Sequence, residues 1–345
     1  MTAADRGTWR CMGLLFAGLI GANIASWMWA CAVFMDRPTL LGSALLAWVF
    51  GLRHAVDPDH IAAIDNVVRK LMGRQQPART VGLWFSLGHS TVVVLACIGV
   101  AFAATTIDLS QFGTTAATIG TSVSAMFLLT IALTNIAFLR DTWVTFRLVR
   151  THGSNGGNGG NGVGAGPLAF LFRPMIRLVQ RPWHMYPLGF LFGLGFDTAT
   201  EIGLLTVAAT QAAQGGGHWR VLVFPMLFTA GMALVDTADS VLMAGAYGWA
   251  SVQPLRKLWY NLTITAASVA VALLIGGLEA LGLVADRLGL DGPVWSVVAA
   301  LNADLANLGF LVVGIFLLAW GMSVALYRWR RYDTLPVRPS EHGRF

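Results

Sequence analysis

The chain alternates long apolar runs with short polar stretches. Residues 11–35 contain no charged residue, 39–66 form a second run broken by a charged cluster, and 81–104 and 117–139 form a third and a fourth. The run 186–212 is apolar apart from Asp197 and Glu201, and 221–247 apart from Asp236 and Asp239. Residues 259–284 and 305–327 complete a set of eight. Each is about as long as the roughly 20 residues a helix needs to cross some 30 Å of hydrocarbon. None shows the strict in–out alternation of an outer-membrane barrel strand. The pattern predicts an all-α, polytopic integral membrane protein with eight transmembrane helices. The stretch 293–301 is too short to cross and is expected to lie at the interface or re-enter.

Composition agrees with that reading. Hydrophobic residues make up 56 % of the chain and charged residues 12 %, against roughly 25 % charge in soluble domains. Mean hydropathy is +0.64. These values exclude an ordinary cytosolic enzyme, a nucleic-acid binder and a disordered chain. The net charge of +6 then reads as topology. Arg6 and Arg10, the Arg69–Arg79 group, Arg140 to Arg181, Arg256 and Lys257, and the arginines from Arg328 onward all fall on one side of the predicted spans. The opposite loops hold Arg37, Arg220 and Arg287. By the positive-inside rule both termini face the cytoplasm.

The whole chain is expected to be one transporter domain, interrupted by a cytoplasmic linker at 153–166. That tract, GSNGGNGGNGVGAG, cannot bury a core. The Arg-bearing segment after it fits either an amphipathic stretch on the inner leaflet or a plain membrane-proximal loop. Cys11, Cys31 and Cys97 form neither a CxxC nor an even set, so no disulfide framework or thiolate site is expected.

The chemistry lies in the charges inside the spans. Span two carries Arg53, His54, Asp57, Asp59 and His60, span three His89, span five Asp197 and Glu201, and span six Asp236 and Asp239. On insertion scales six such carboxylates cost on the order of 15 kcal/mol. They therefore belong in a shared interior that is hydrated or holds a cation. Asp197 and Glu201 share a helix face at i, i+4, and Asp236 and Asp239 share one at i, i+3. Pro58 lacks an N–H and would clash with the His54 carbonyl, so helix two is expected to kink or break there and leave that carbonyl free to face the cavity. In an unbroken helix His54 and His60 would stand about 120° apart; a break could bring Asp59 and His60 round to the face of His54.

Imidazole nitrogen with carboxylate oxygen suits divalent first-row metals such as nickel, cobalt, zinc or manganese. Blander readings exist for single residues. His89 could simply bond a neighbouring helix, Glu201 and Asp239 could be partners of Arg53, and Asp65 is expected to be an interfacial charge or cap. His152, His184, His218 and His342 are read as loop residues, and the tryptophans mostly as belt and packing residues.

The run RHAVDPDH resembles the HxxxxDH signature in the second helix of the nickel–cobalt transporter family. FSLGHSTVV, LGFDTATE, GMALVDTADS, WHMYPLGFLFGLGFDTATE and RKLWYNLTIT resemble further blocks of that family, in the expected order along essentially the whole chain. The likeness is greatest to single-chain nickel permeases of the bacterial cytoplasmic (inner) membrane. It implies an eight-helix fold and a secondary transporter importing nickel, with cobalt as a second candidate. The signature maps onto His54, Asp59 and His60, the other motifs onto His89, Asp197, Thr198, Glu201, Asp236, Thr237 and Asp239, and Asn23 resembles a first-helix asparagine near the signature. Pro58 departs from the family, which commonly has a small residue such as Ala there.

The expected partners are the metal ion, as transported substrate, and membrane lipid. No cofactor and no nucleic acid are expected. Nothing resembles a Walker A loop, so no ATPase activity is expected of the chain. The rival readings are a nickel or cobalt exporter of a related family and, less favoured, a membrane-embedded metalloenzyme. HExxH is absent, and only three histidines lie in spans.

Overall fold

A computed structural model of the protein describes residues 3–103, 179–194, 199–213, 218–250 and 254–303, together with scattered positions between 118 and 147 and between 312 and 329. Among the described residues there is no strand. The helices are α1 (Ala3–Phe34), α2 (Pro38–His54), α3 (Pro58–Gly73), α4 (Val81–Ala103), α5 (Met185–Phe192), α6 (Ala199–Ala213), α7 (His218–Val221), α8 (Val223–Ala250), α9 (Pro254–Leu288) and α10 (Pro293–Ala303).

Four stretches are long and apolar enough to cross a membrane: Arg10–Phe34, Val81–Gly99, Trp219–Gly248 and Leu262–Leu288. The bent pair α2–α3 makes a fifth when counted as one broken span. Of the remaining expected spans, 117–139 is helical at its described positions, 186–212 appears as α5 and α6 with 195–198 outside the described residues, and most of 305–327 lies outside them. The linker 153–166 also lies outside them. The stretch 293–301, too short to cross, falls in helix α10, Pro293–Ala303, a short apolar helix.

The break in span two has a clear local cause. The residue before a proline is driven out of the helical region, and Asp57 is extended, with φ −63° and ψ 142°. Pro58 then takes the first helical position of α3, where its missing N–H is not needed. The two halves meet at 48°. One expectation fails here. The His54 carbonyl is not free: the end of α2 tightens, and that carbonyl accepts the Asp57 N–H at 2.9 Å. A three-residue closure satisfies the terminal carbonyl that the proline would otherwise have orphaned.

Helix α8 is the hub, packing on α1, α2, α3 and α4, while α4 also packs on α5 and α6, and α9 on α3 and α10. Two apolar clusters fill the gaps. One runs along α3 from Ile61 to Leu71 and includes Phe85, Phe192 and Ile275. The other joins Phe34, Ala44, Ala47, Phe224 and Phe228. Small residues let the backbones close up, as membrane helices require in the absence of a hydrophobic drive between them. A Cβ on Gly88 would stand 1.9 Å from the Tyr186 carbonyl oxygen, and one on Gly189 2.0 Å from that of Phe85. This mutual contact sets the spacing of α4 and α5. Outward-facing Leu14, Ile20, Ile24 and Met28 on α1 are exposed, an apolar surface suited to lipid.

Candidate metal site

Three histidines from three helices converge at the break. His54 ends α2, His60 lies in the first turn of α3, and His89 sits mid-way along α4. All three are buried. One ring nitrogen from each lies within 4.8 Å of the other two. The ring centroids of His54 and His60 are 4.7 Å apart, a proximity that the bend between α2 and α3 makes possible. Phe228 packs on the His54 ring at 5.4 Å and Phe85 on the His60 ring at 4.7 Å.

Carboxylates orient these rings. Asp57 Oδ2 lies 2.7 Å from His54 Nδ1, with the Thr200 hydroxyl at 3.2 Å from the same nitrogen. Asp236 Oδ1 lies 3.4 Å from His60 Nδ1. A carboxylate on one imidazole nitrogen fixes the tautomer and leaves the other nitrogen as the ligand atom. That other atom, Nε2, is buried without a hydrogen-bond partner in His60. The Nε2 atoms of His54 and His89 stand 2.9 Å apart, and Glu201 Oε1 is 2.9 Å from His89 Nε2 and 3.8 Å from His54 Nε2. Two imidazole nitrogens at 2.9 Å attract each other only when one carries a hydrogen. A cation could take that hydrogen's place.

The other expected site residues fall into groups. Asp57, Glu201 and Asp236 are buried against the histidines. Asp59 is half-buried, and its Oδ1 accepts the His60 backbone N–H at 2.9 Å. Asp239 lies one turn beyond Asp236 on α8 and is half-buried. Thr237 is fully buried with a hydroxyl that has no hydrogen-bond partner. Arg53 is half-buried at the end of α2. Asn23 ties helices together: its amide donates to the Ala230 carbonyl at 3.0 Å, and its oxygen accepts the Trp48 indole N–H at 2.9 Å. Asp197 and Thr198 lie outside the described residues.

The high-affinity nickel-transport protein family, NicO, matches residues 40–326. The chain belongs to that family. NicO relatives extend over nearly its whole length. The hydrogenase nickel incorporation protein HupN of Bradyrhizobium diazoefficiens is 58 % identical over 321 residues, covering 91 % of this chain and 84 % of that protein. The high-affinity nickel transport protein of Cupriavidus necator is 53 % identical over 329 residues, 94 % of each chain. The cobalt transport protein NhlF of Rhodococcus rhodochrous is 38 % identical over 290 residues, 81 % of each. No solved structure matches the chain. The NicO description and these names are those of transport and metal-incorporation proteins, with no enzyme among them.

One buried carboxylate of this NicO chain lies elsewhere than its sequence suggested, and another gave no expectation. Asp65 is not an interfacial charge; it is fully buried and hydrogen-bonded by Tyr247 and Ser268. Glu279, in α9, is buried and accepts the Ser124 hydroxyl at 3.1 Å. A lone Glu inside the run 259–284 is itself the signal that would have found it.

Proposed function

We propose that this chain is a secondary transporter that imports Ni2+, and Co2+ as a second substrate, across a bacterial cytoplasmic membrane. The observation that carries the reading is the meeting of His54, His60 and His89 beside Glu201 and Asp236 in a chain of the nickel-transport family. Three imidazoles and several carboxylates form a donor set suited to nickel and cobalt, and the carboxylates offset the charge of the dication. A relative named as a cobalt transport protein is the reason to keep cobalt as a second substrate.

In this reading the fold has eight spans with both termini in the cytoplasm, and 1–345 is a single transporter domain. The ion sheds water and binds His54, His60 and His89. Asp57, Asp59, Glu201, Asp236 and Asp239 attract it and orient the imidazoles, together with Asp197 and Thr198 by family likeness. Arg53, Asn23, Pro58 and Thr237 support the site. The break at 55–57 gives the two halves of span two a joint, and broken helices around a midplane site are how many carriers alternate access. A membrane potential of 100 mV, negative inside, favours entry of a dication by about 4.6 kcal/mol.

The test is uptake of radioactive nickel by cells expressing the chain, at nanomolar metal, with and without excess cobalt, zinc or manganese. Accumulation that cobalt suppresses and manganese does not is expected. Net loss of preloaded metal would mean export instead. No movement of metal, with the protein shown to be in the membrane, would refute the reading.

A further inference from the structure

The two halves of span two are held in different ways. Helix α2 is interlocked with α8 through the backbone. A Cβ on Gly51 would stand 2.1 Å from the Phe228 carbonyl oxygen, and one on Gly231 2.9 Å from that of Trp48. Helix α3 has no glycine in such a contact: a Cβ on Gly73, at its end, would meet nothing within 4 Å. An apolar seam of Ile64, Val67, Val68 and Leu71 covers it, and side-chain hydrogen bonds tie it to its neighbours.

The Asp65 carboxylate joins three helices. It is completely buried. The Tyr247 hydroxyl, from α8, donates to its Oδ1 at 3.2 Å, and the Ser268 hydroxyl, from α9, donates to its Oδ2 at 2.6 Å. The next residue, Asn66, makes a further tie. Its side-chain oxygen accepts the Asn135 amide, from the run 117–139, at 2.6 Å, and also the Arg69 guanidinium. Its own amide donates to the Ala62 carbonyl at 2.6 Å. Asp65 and Asn66 stand about 100° apart round the helix, so together they reach neighbours on different sides. Every one of these bonds lies between His60 and the basic end of α3 that carries Lys70 and Arg74, the end that faces the cytoplasm in the transport reading.

We propose that Asp65 and Asn66, with Tyr247, Ser268 and Asn135, form the inner latch of the carrier. While the ties hold, α3 closes the histidine site to the cytoplasm; their release lets α3 turn about the joint at 55–57 and open it. The inference rests on the transport reading above. His54, His60 and His89 are all buried, so metal leaves only by a path that some element opens. Helix α2 moves only if its backbone parts from that of α8, whereas α3 has hydrogen bonds to exchange. Its apolar contacts have no preferred direction, so the hydrogen bonds fix its angle. Single hydrogen bonds between membrane helices are weak. A group of three holds a closed state and still leaves an open one within reach as a minor population.

The test uses the full-length chain in sealed membrane vesicles of both orientations, with Cys11, Cys31 and Cys97 replaced by alanine and one reporter cysteine introduced. Thr265→Cys places a thiol on α9, on the face of Ser268 at i, i+3; Thr265 is fully buried. Ala44→Cys places one in α2, where Ala44 is also fully buried. The pair Tyr247→Phe and Ser268→Ala loosens the latch and keeps the Asp65 carboxylate, and Asn135→Ala loosens it separately. A membrane-impermeant maleimide on the cytoplasmic face should label Thr265→Cys about fivefold to tenfold faster with the pair, and about threefold faster with Asn135→Ala. Labelling of Ala44→Cys from the outer face should stay unchanged.

Labelling of Thr265→Cys at the same rate in loosened and unloosened chains would overturn the latch. So would an equal rise at Ala44→Cys, which would mean general loosening of the bundle and not a turn of α3. If the double substitution does not reach the membrane, Asn135→Ala decides: an unchanged rate overturns the proposal. The labelling needs no metal and so reads the latch by itself. Absence of both nickel binding and uptake in the unsubstituted chain would instead refute the transport reading.

Discussion

Gly82→Ala tests whether helix spacing, and not ligand identity alone, sets the metal site. Gly82 lies in the first turn of α4, whose N–H groups have no partners within the helix. Its N–H donates to the Ser240 hydroxyl of α8 at 2.6 Å. A Cβ built there would stand 1.9 Å from the carbonyl oxygen of Asp236 and 2.4 Å from its carbon. Ordinary contact begins at 3.4 Å, so α4 and α8 must part locally by about 1.5 Å. Metal–ligand distances tolerate about 0.2 Å, and a 1 Å misplacement can cost about 100-fold in rate. Helix α4 carries His89 and α8 carries Asp236, so the shift falls on the site itself. The two nearest atoms met are backbone, which cannot swing aside as a side chain would, so the stability cost lies at the upper end of the usual range for overpacking, about 3 kcal/mol or more, and uptake is counted per molecule in the membrane. The expected outcome is membrane-inserted protein whose nickel uptake has dropped about 100-fold. The control is Gly99→Ala on the same helix, where a Cβ meets nothing within 4 Å and uptake should be unchanged. Full uptake by Gly82→Ala would refute the argument that this spacing governs the site.

Three further outcomes follow from the geometry. His60→Ala should abolish uptake with the protein still in the membrane, because it removes the one cluster histidine whose Nε2 has no hydrogen-bond partner; His184→Ala, at the end of a short helical turn outside the cluster, should not. Nickel binding should weaken as pH falls, because a protonated imidazole cannot ligate a cation; calorimetry at a series of pH values reads the affinity, and an affinity independent of pH would contradict the assignment. Pro58→Ala removes the clash that keeps Asp57 out of the helical region, so the break should weaken and uptake should fall about tenfold or more; uptake measured as for His60→Ala checks it, and an unchanged rate would show that the break does not depend on Pro58.

Much of the architecture is legible in the apolar runs, because a membrane helix must satisfy its own backbone and so announces itself by length. The same physics made Pro58 readable as a break. The consequence of the break was only half readable. A helix wheel separates His54 from His60, and the sequence contains nothing that measures the 48° bend bringing their rings to 4.7 Å. The freed His54 carbonyl was a sound expectation for a helix that merely kinks. It failed because α2 ends outright and its last carbonyl is taken by Asp57.

His89 and Asp65 mark where local reasoning stops. A lone histidine in an apolar run carries no sign of its partners. His89 reaches His54, 35 residues away, and Glu201, 112 residues away, and the close approach of α4 to α5 that frames it depends on Gly88 and Gly189. Asp65 sits four residues before Arg69, a spacing that reads as the edge of a span. Its burial comes from Tyr247 and Ser268, 182 and 203 residues further on. Both cases share one cause. Insertion energetics require an intramembrane charge to have a partner and leave open which helix supplies it. In this chain Asp57, Glu201 and Asp236 serve the histidines, while Asp65 lies apart from them, held by Tyr247 and Ser268, so a single acidic cavity, the natural expectation from the sequence, resolves into a histidine-centred site and a separately satisfied carboxylate.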